Sequence, residues 1–164
     1  MRDFPFPVLP AGDWLEIFGK NNWIIATVNS TPADAYEELL NGVESGELGT
    51  ADVLAFAHSA LAQSAGRPWW EAERLIGACF NDSGRLLGPV FLHGVDPSRL
   101  TLAAFLACVW AKLTENADAT ALAKLESELL VPPPEATEDE RAAVDDDVFS
   151  MVERMRAMPG VRTG

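Results

Sequence analysis

The sequence predicts a mainly α-helical protein, a compact bundle of about five to six helices followed by a C-terminal amphipathic helix. Apolar residues recur at helical spacing in several segments, and proline, glycine and capping residues separate these segments. Almost no segment alternates apolar and polar residues as a half-buried strand does. The length of 164 residues, 48% of them hydrophobic, suits one globular domain.

The first third of the chain contains two predicted helices and one ambiguous segment. Residues 13–20 predict a short helix, whereas residues 22–28 (NWIIATV) have a strand-like composition and suit either a strand or a buried connection. Thr31 and Pro32 predict the next helix start, because a hydroxyl can cap free amide groups and proline fits the first turn. This helix is expected to end near Asn41 and Gly42.

Two adjacent tryptophans mark the middle of the sequence. Thr50 is predicted to cap a helix that ends at Gly66, and Pro68 opens another, whose apolar face contains Trp69, Ala72, Ile76 and Cys79. Adjacent helix positions point about 100° apart, so one core-facing stripe cannot cover both rings. Trp70, which lies toward Glu73 and Arg74, is therefore predicted to be exposed. The alternative is that both rings pack between neighbouring helices at the edge of the core.

The second half of the chain contains the clearest helix signal. Residues 81–84 (NDSG) predict a turn, and residues 86–92, interrupted by Gly88-Pro89, predict an extended connection. Asp96 and Pro97 open a helix within residues 94–113, whose apolar positions are Leu102, Phe105, Leu106, Val109, Trp110 and Leu113. A further helix over residues 118–130 is stopped by a triple proline.

The triple proline divides the chain into three predicted parts. Residues 1–131 form the helical core domain, 132–136 a proline linker, and 137–164 an acidic amphipathic helix with a short tail. The last part carries a narrow apolar stripe of Val144, Val148, Met151, Met155 and Met158. This stripe can dock either on its own domain or on another protein.

Charge and composition exclude several classes of function. A net charge of −13 argues against binding the phosphate backbone of nucleic acids. The longest strongly apolar run, residues 100–111, is too short to cross a membrane. The N-terminal residues, with Asp3 and three prolines, do not resemble a signal peptide, so we expect a cytosolic protein. Its two cysteines are expected to be reduced and buried.

Residue patterns typical of catalysis or cofactor binding are missing from the sequence. It lacks the glycine-rich nucleotide motifs, HExxH, CxxC and GxSxG. His58, Cys79, His93 and Cys108 lack the close spacing of zinc ligands, and Asp145-Asp146-Asp147 lacks that of a calcium loop. We therefore expect no enzyme, no metal and no cofactor.

Three short motifs resemble the small helical tail assembly chaperones encoded by tailed phages and prophages of actinobacteria. The first is a Gly-Arg-x-Trp-Trp stretch and its continuation: Gly66, Arg67, Trp69, Trp70, Arg74, Leu75 and Ile76. The second is the Gly-Val-Asp-Pro turn at 94–97 before a Leu-rich helix, and the third is the glycine pair Gly42 and Gly46 before Thr50. The resemblance covers residues 12–134.

This resemblance implies a non-enzymatic role in the host cytoplasm. Such a protein binds the tape measure protein and keeps this long chain soluble while the tail tube assembles. The tail tube protein is a second expected partner. The residues we predict to contact the partner are Arg67, Trp70, Arg74, Val148, Met151 and Met155. Two alternatives stay open: a structural tail or head-tail connector component of the virion, and a small intracellular helical adaptor unrelated to phage.

Overall fold

The computed structural model describes residues 6–92, 94 and 96–138, which fold into eight α-helices and one 3₁₀ helix. The α-helices in chain order are α1 Ala11–Phe18, α2 Trp23–Val28, α3 Ala33–Ser45, α4 Thr50–Ala65, α5 Trp69–Asn81, α6 Ser83–Leu92, α7 Leu102–Thr114 and α8 Ala119–Leu130. The predicted mainly α-helical class is confirmed. The predicted C-terminal helix, with Val148, Met151 and Met155, lies outside the described residues.

Helix α5 lies at the centre of the bundle. It contacts α4, α6, α7 and α8, while α4 also contacts α2 and α7. Buried side chains from these elements form one cluster, in which Trp14, Trp70, Phe105 and Leu61 are among the largest fully buried residues. Burying a large apolar side chain contributes roughly 1.5–3 kcal/mol, so the cluster holds the helices together.

Local capping fixes the boundaries of α7 and α8. The Asp96 carboxylate accepts a hydrogen bond from the backbone N–H of Ser98 (3.0 Å) and opens the 3₁₀ helix Pro97–Arg99. The Thr101 hydroxyl then caps α7, so the helix predicted within 94–113 is two elements. The Asp118 carboxylate caps α8 through the N–H of Ala121 (2.8 Å). Each such cap contributes about 1 kcal/mol.

The segment predicted to be a strand or a buried connection is helix α2. Its first turn is capped by Asn22, whose side-chain oxygen accepts a hydrogen bond from the N–H of Ile25 at 3.1 Å. Inside the helix, the Thr27 hydroxyl donates to the carbonyl of Trp23 at 2.9 Å. Contacts of α2 with α1 and α4 override the β propensity of its residues.

Three further expectations about local structure are wrong. Thr50 does not cap α4, because the cap position is Gly49 and Thr50 is the first residue of the helix. Residues 86–92 belong to α6, where Leu86 is buried and the helix packs on α5 and α7. This packing outweighs the hydrogen bond that Pro89 cannot donate. Thr31 does not cap α3: its hydroxyl donates to the carbonyl of Val28 at 2.7 Å and closes the preceding turn. The cap position of α3 is Pro32, without a side-chain hydrogen bond.

The chain stays against the domain beyond α8. Ala136, in the segment predicted to be a linker, is 6% exposed and belongs to the core cluster. The N–H of Ala136 donates to the carbonyl of Pro133 at 3.0 Å, which turns the chain back toward the helices. Residues 133–137 can therefore contribute to a surface that the helices form.

The two cysteines lie in different environments. Cys79 is fully buried in α5, and its thiol donates to the carbonyl of Leu75. Cys108 lies on the exposed side of α7, so the expectation that both thiols are buried is wrong for this residue. An apolar stripe at helical spacing predicts burial for only one face of α7. Cys108 does not lie on that face and is therefore exposed.

We expect iodoacetamide to label the native protein at Cys108 and not at Cys79. Burial raises the pKa of the Cys79 thiol to about 11, and only the thiolate reacts. Peptide mass spectrometry after labelling in buffer and in urea measures both sites in one sample. Equal labelling of the two cysteines in buffer would contradict the buried position of Cys79.

Candidate functional site

Both tryptophans at the start of α5 are buried. Trp69 is 5% exposed and Trp70 is 1% exposed, so the prediction that Trp70 is the exposed ring is wrong. Glu71 and Ala72 are buried as well, which leaves no open face in this turn. The reason is that α5 has neighbours on several sides, and more than one of its faces is covered. The alternative is right that both rings pack between helices, but they are buried in the core cluster and not partly buried at its edge.

Arg67 lies beside a buried carboxylate. Its Nη1 is 3.7 Å from Oε2 of Glu71, one helical turn further along the chain, and both side chains are mostly buried. A buried carboxylate is costly without a compensating charge. Arg67 therefore stabilises the start of α5, and its partner-binding role stays a prediction.

Arg74 holds the end of α8. Its Nη1 lies 2.8 Å from the carbonyl oxygens of Glu128 and Leu129 and 2.7 Å from that of Val131. The last carbonyl groups of a helix have no partner within the helix, and a cation also complements its negative end. Because Nη1 carries two N–H groups, at least one of them is shared between two oxygens. Arg74 thus acts as a cap supplied by another helix.

A row of aromatic rings joins four helices. The rings of Phe18 and Trp23 stack with centroids 4.8 Å apart, and Trp23 lies 5.9 Å from His58. His58 stacks on Trp69 at 3.6 Å with an interplanar angle of 4°, and Trp69 meets Trp70 edge to face at 5.7 Å. Aromatic pairs of this kind contribute beyond their buried area and hold rings in fixed orientations.

The aromatic row borders an open groove of about 830 Å³, which we call the aromatic groove. Helices α2, α4 and α5 and residues 133–137 form its walls. The apolar lining includes Trp23, Leu54, Ala55, His58, Ala62, Trp69 and Trp70, and the polar lining includes Glu73, Arg74 and Glu135. A mostly apolar concave surface with a few polar groups is the usual composition of a binding site.

Two buried hydrogen-bond donors lie behind the wall of the groove. The indole N–H groups of Trp69 and Trp70 are buried, and no described group accepts from either. An unsatisfied buried donor costs about 1–3 kcal/mol, so these two groups reduce the stability that the buried rings contribute.

Glu73 is the carboxylate nearest to the aromatic row. Its Oε1 accepts a hydrogen bond from the indole Nε1 of Trp23 at 3.1 Å, which ties α5 to α2. Burial raises the pKa of Glu73; the indole hydrogen bond and Arg74 lower it in part, and the negative charge of Glu135 raises it further. The groove therefore holds a carboxylate whose charge is only partly compensated.

We expect Glu73→Gln to stabilise the protein more at pH 7 than at pH 4, relative to the unchanged chain. The folded state binds the Glu73 proton more tightly than the unfolded state, so stability is lost as pH rises from the ordinary pKa of 4.5 through the raised value. Glutamine keeps an acceptor for Trp23 and has no charge to desolvate. Urea unfolding at both pH values measures the effect, with Glu126→Gln on α8 as the exposed control. If Glu73→Gln changed the free energy of unfolding by the same amount at pH 7 and at pH 4, the raised pKa of Glu73 would be contradicted.

The described residues offer no arrangement for metal binding. No group of three or more His, Cys, Asp or Glu side chains within this part of the chain is placed to hold a metal ion. His93 lies outside the described residues, and Cys79 and Cys108 are free thiols. What the groove offers is apolar contact and two carboxylates.

The sequence indicated part of this site. It singled out Trp69, Trp70 and Arg74, but it missed Trp23, Leu54 and Glu73, and it considered His58 as a zinc ligand and rejected that role. A usable signal was the second apolar row of α4, in which residues 54, 58 and 62 follow one another at intervals of one turn. Val148, Met151 and Met155 lie outside the described residues, so their contacts stay predictions.

Comparisons with known proteins identify no relative, because no family model, no curated protein and no solved structure matches this chain. None of the described helices is both long and apolar enough to cross a membrane.

Proposed function

We propose that this protein is a tail assembly chaperone of a tailed phage, which binds the tape measure protein and keeps it soluble during tail tube assembly. The observation that carries the proposal is the aromatic groove, an open apolar surface on an acidic helical protein. The motifs around Trp69 and Trp70 that resemble this family form the α5 wall of that groove.

The groove suits a helix better than a small reacting molecule. Grooves between helices bind amphipathic helices by taking up apolar side chains spaced at one turn. The partly exposed rings of Trp23 and His58 supply rigid apolar surface for such side chains, at a low entropic cost. The lining is mostly apolar, so binding is the activity that we propose for it.

The charge of the protein fits a chaperone. A net charge of −13 keeps copies of the chain apart and keeps a complex with an aggregation-prone partner in solution. The same charge disfavours nucleic acid as a partner. The proposed partners are the tape measure protein and the tail tube protein, and the proposed location is the host cytoplasm.

Co-expression with the tape measure protein tests the proposal. The unchanged chain should keep the tape measure protein in the soluble fraction and co-purify with it. Ala55→Glu, which places a charge in the aromatic groove, should abolish both effects, whereas Ala123→Glu on the exposed side of α8 should not. Equal solubility with and without the protein would refute the role.

A structural tail or connector component would also bind tail proteins, and the composition of the virion separates the two roles. Mass spectrometry of purified particles should find a chaperone absent or in traces. A fixed copy number in finished virions would instead identify a structural component.

A further inference from the structure

We infer that the aromatic groove selects a helix in which an arginine or lysine flanks the apolar stripe, with its charged head placed against Glu73 and Glu135. This inference rests on the proposed function, since it specifies which segments of the partner chain are bound. It concerns the chemistry of recognition and not the identity of the partner.

The first support is the position of the two carboxylates. Glu73 lies at the α5 wall beside Trp23, and Glu135 lies on the segment that follows α8, and both line the same groove. They are close enough for the charge of Glu135 to act on Glu73. An occupant without a cation would cover these groups and remove their water, which is unfavourable for carboxylates.

The second support is that the arginine in the groove is already engaged. Arg74 lines the groove, but its Nη1 is hydrogen-bonded to the carbonyl oxygens at the end of α8. Its charge lowers the pKa of Glu73, yet burial outweighs this effect. Arg74 is the one arginine or lysine among the described lining residues, and an occupant with a cationic side chain would add the charge that the two carboxylates lack.

The third support is the aromatic lining itself. Trp23 and His58 line the groove and are only partly buried, and the stem of an arginine or lysine side chain packs well on aromatic rings. The guanidinium group also stacks on aromatic rings while it forms paired hydrogen bonds with a carboxylate. One long cationic side chain can thus cover the rings and reach Glu73.

Two synthetic helical peptides of identical composition test the inference. Both carry the same leucine stripe and two arginines; in one peptide the arginines flank the stripe, and in the other they lie on the opposite face. Their equal net charge removes the general attraction that any cationic peptide has for an acidic protein. Fluorescence anisotropy of the dye-labelled peptides with the full chain gives both affinities.

The flanking peptide should bind about tenfold more tightly than its isomer, as expected for a close charge pair that is partly shielded from water. Glu73→Gln should remove most of this preference, and Glu126→Gln, which removes the same charge from the exposed face of α8, should leave it intact. Equal affinity of the two peptides, or equal effects of the two substitutions, would overturn the inference.

Other occupants of the groove give distinct results. If residues 139–164 of the same chain filled it, the peptide would bind only after Arg154→Gln and Arg156→Gln. If a second copy filled it, the affinity would depend on protein concentration. Either result overturns the assignment of the groove to a partner.

The inference and the proposed function can fail separately. Loss of tape measure solubility with Ala55→Glu, together with equal binding of the two peptides, would leave the chaperone role standing and refute the selection. If the flanking peptide bound more tightly but the protein did not change the solubility of the tape measure protein, the selection would stand and the chaperone role would be refuted.

Discussion

Replacing Trp70 with alanine is expected to lower the free energy of unfolding by about 3–5 kcal/mol, the usual cost of deleting a fully buried aromatic side chain. The ring is 1% exposed, meets Trp69 edge to face, and belongs to α5, which contacts four other helices. No partner ring can fill the resulting cavity without moving one of these helices. Urea unfolding, followed by circular dichroism at 25 °C, measures the loss.

Trp110→Ala is the matched control for this experiment. It deletes the same side chain from α7, where the ring is only partly buried against the core. It should therefore cost clearly less than Trp70→Ala. Trp70→Phe should also cost less than Trp70→Ala, because it keeps most of the apolar volume and loses an indole N–H that has no acceptor. A larger cost for Trp110→Ala would contradict the central position of Trp70.

This expectation reverses the one drawn from the sequence. With Trp70 exposed, its removal would weaken partner binding more than stability, and removal of Trp69 would do the opposite. The structure makes both rings part of the packed domain. Substitutions that probe binding without unfolding the protein therefore belong at the groove wall, as with Ala55, and not at the tryptophans.

The helices that could be predicted are those with strong local signals. Helices α4, α7 and α8 combine a periodic apolar stripe with a side-chain cap or a terminating glycine, and α5 combines such a stripe with Pro68 at its start. Helix α2 has a cap at Asn22 but is rich in β-branched residues, and α6 contains Gly88-Pro89. Their helical state depends on contacts with α1, α4, α5 and α7, which the sequence does not display.

The aromatic groove was less predictable than the fold for the same reason. The adjacent-tryptophan argument assumed that a helix has one covered face, and the number of covered faces depends on how many helices surround it. The stacking of His58 on Trp69 joins α4 and α5, and the hydrogen bond between Trp23 and Glu73 joins α2 and α5. Neither contact follows from spacing along one helix.

Arg74→Met is expected to lower the free energy of unfolding by about 1.5–3 kcal/mol, the range for hydrogen bonds that involve a charged group. Methionine keeps an unbranched apolar stem along α5 and removes the guanidinium group that holds three carbonyl oxygens at the end of α8. Helix α8 has no fully buried residue, so it depends on such contacts more than the central helices do. Its backbone amides should therefore lose protection first.

Hydrogen exchange measured by mass spectrometry locates the effect, and a second cation provides the control. Lys124→Met removes a lysine of α8 whose ion pair with Glu128 is largely exposed, with a separation of 3.7 Å. Exposed pairs of this kind contribute about 0–1 kcal/mol, so exchange in α8 should hardly change. If Lys124→Met accelerated exchange in α8 as much as Arg74→Met, the loss of any positive charge near α8 would explain the effect. The hydrogen bonds of Arg74 would then not be what stabilises this helix. Acceleration by Arg74→Met alone would show that a side chain 54 to 57 positions earlier in the chain caps this helix.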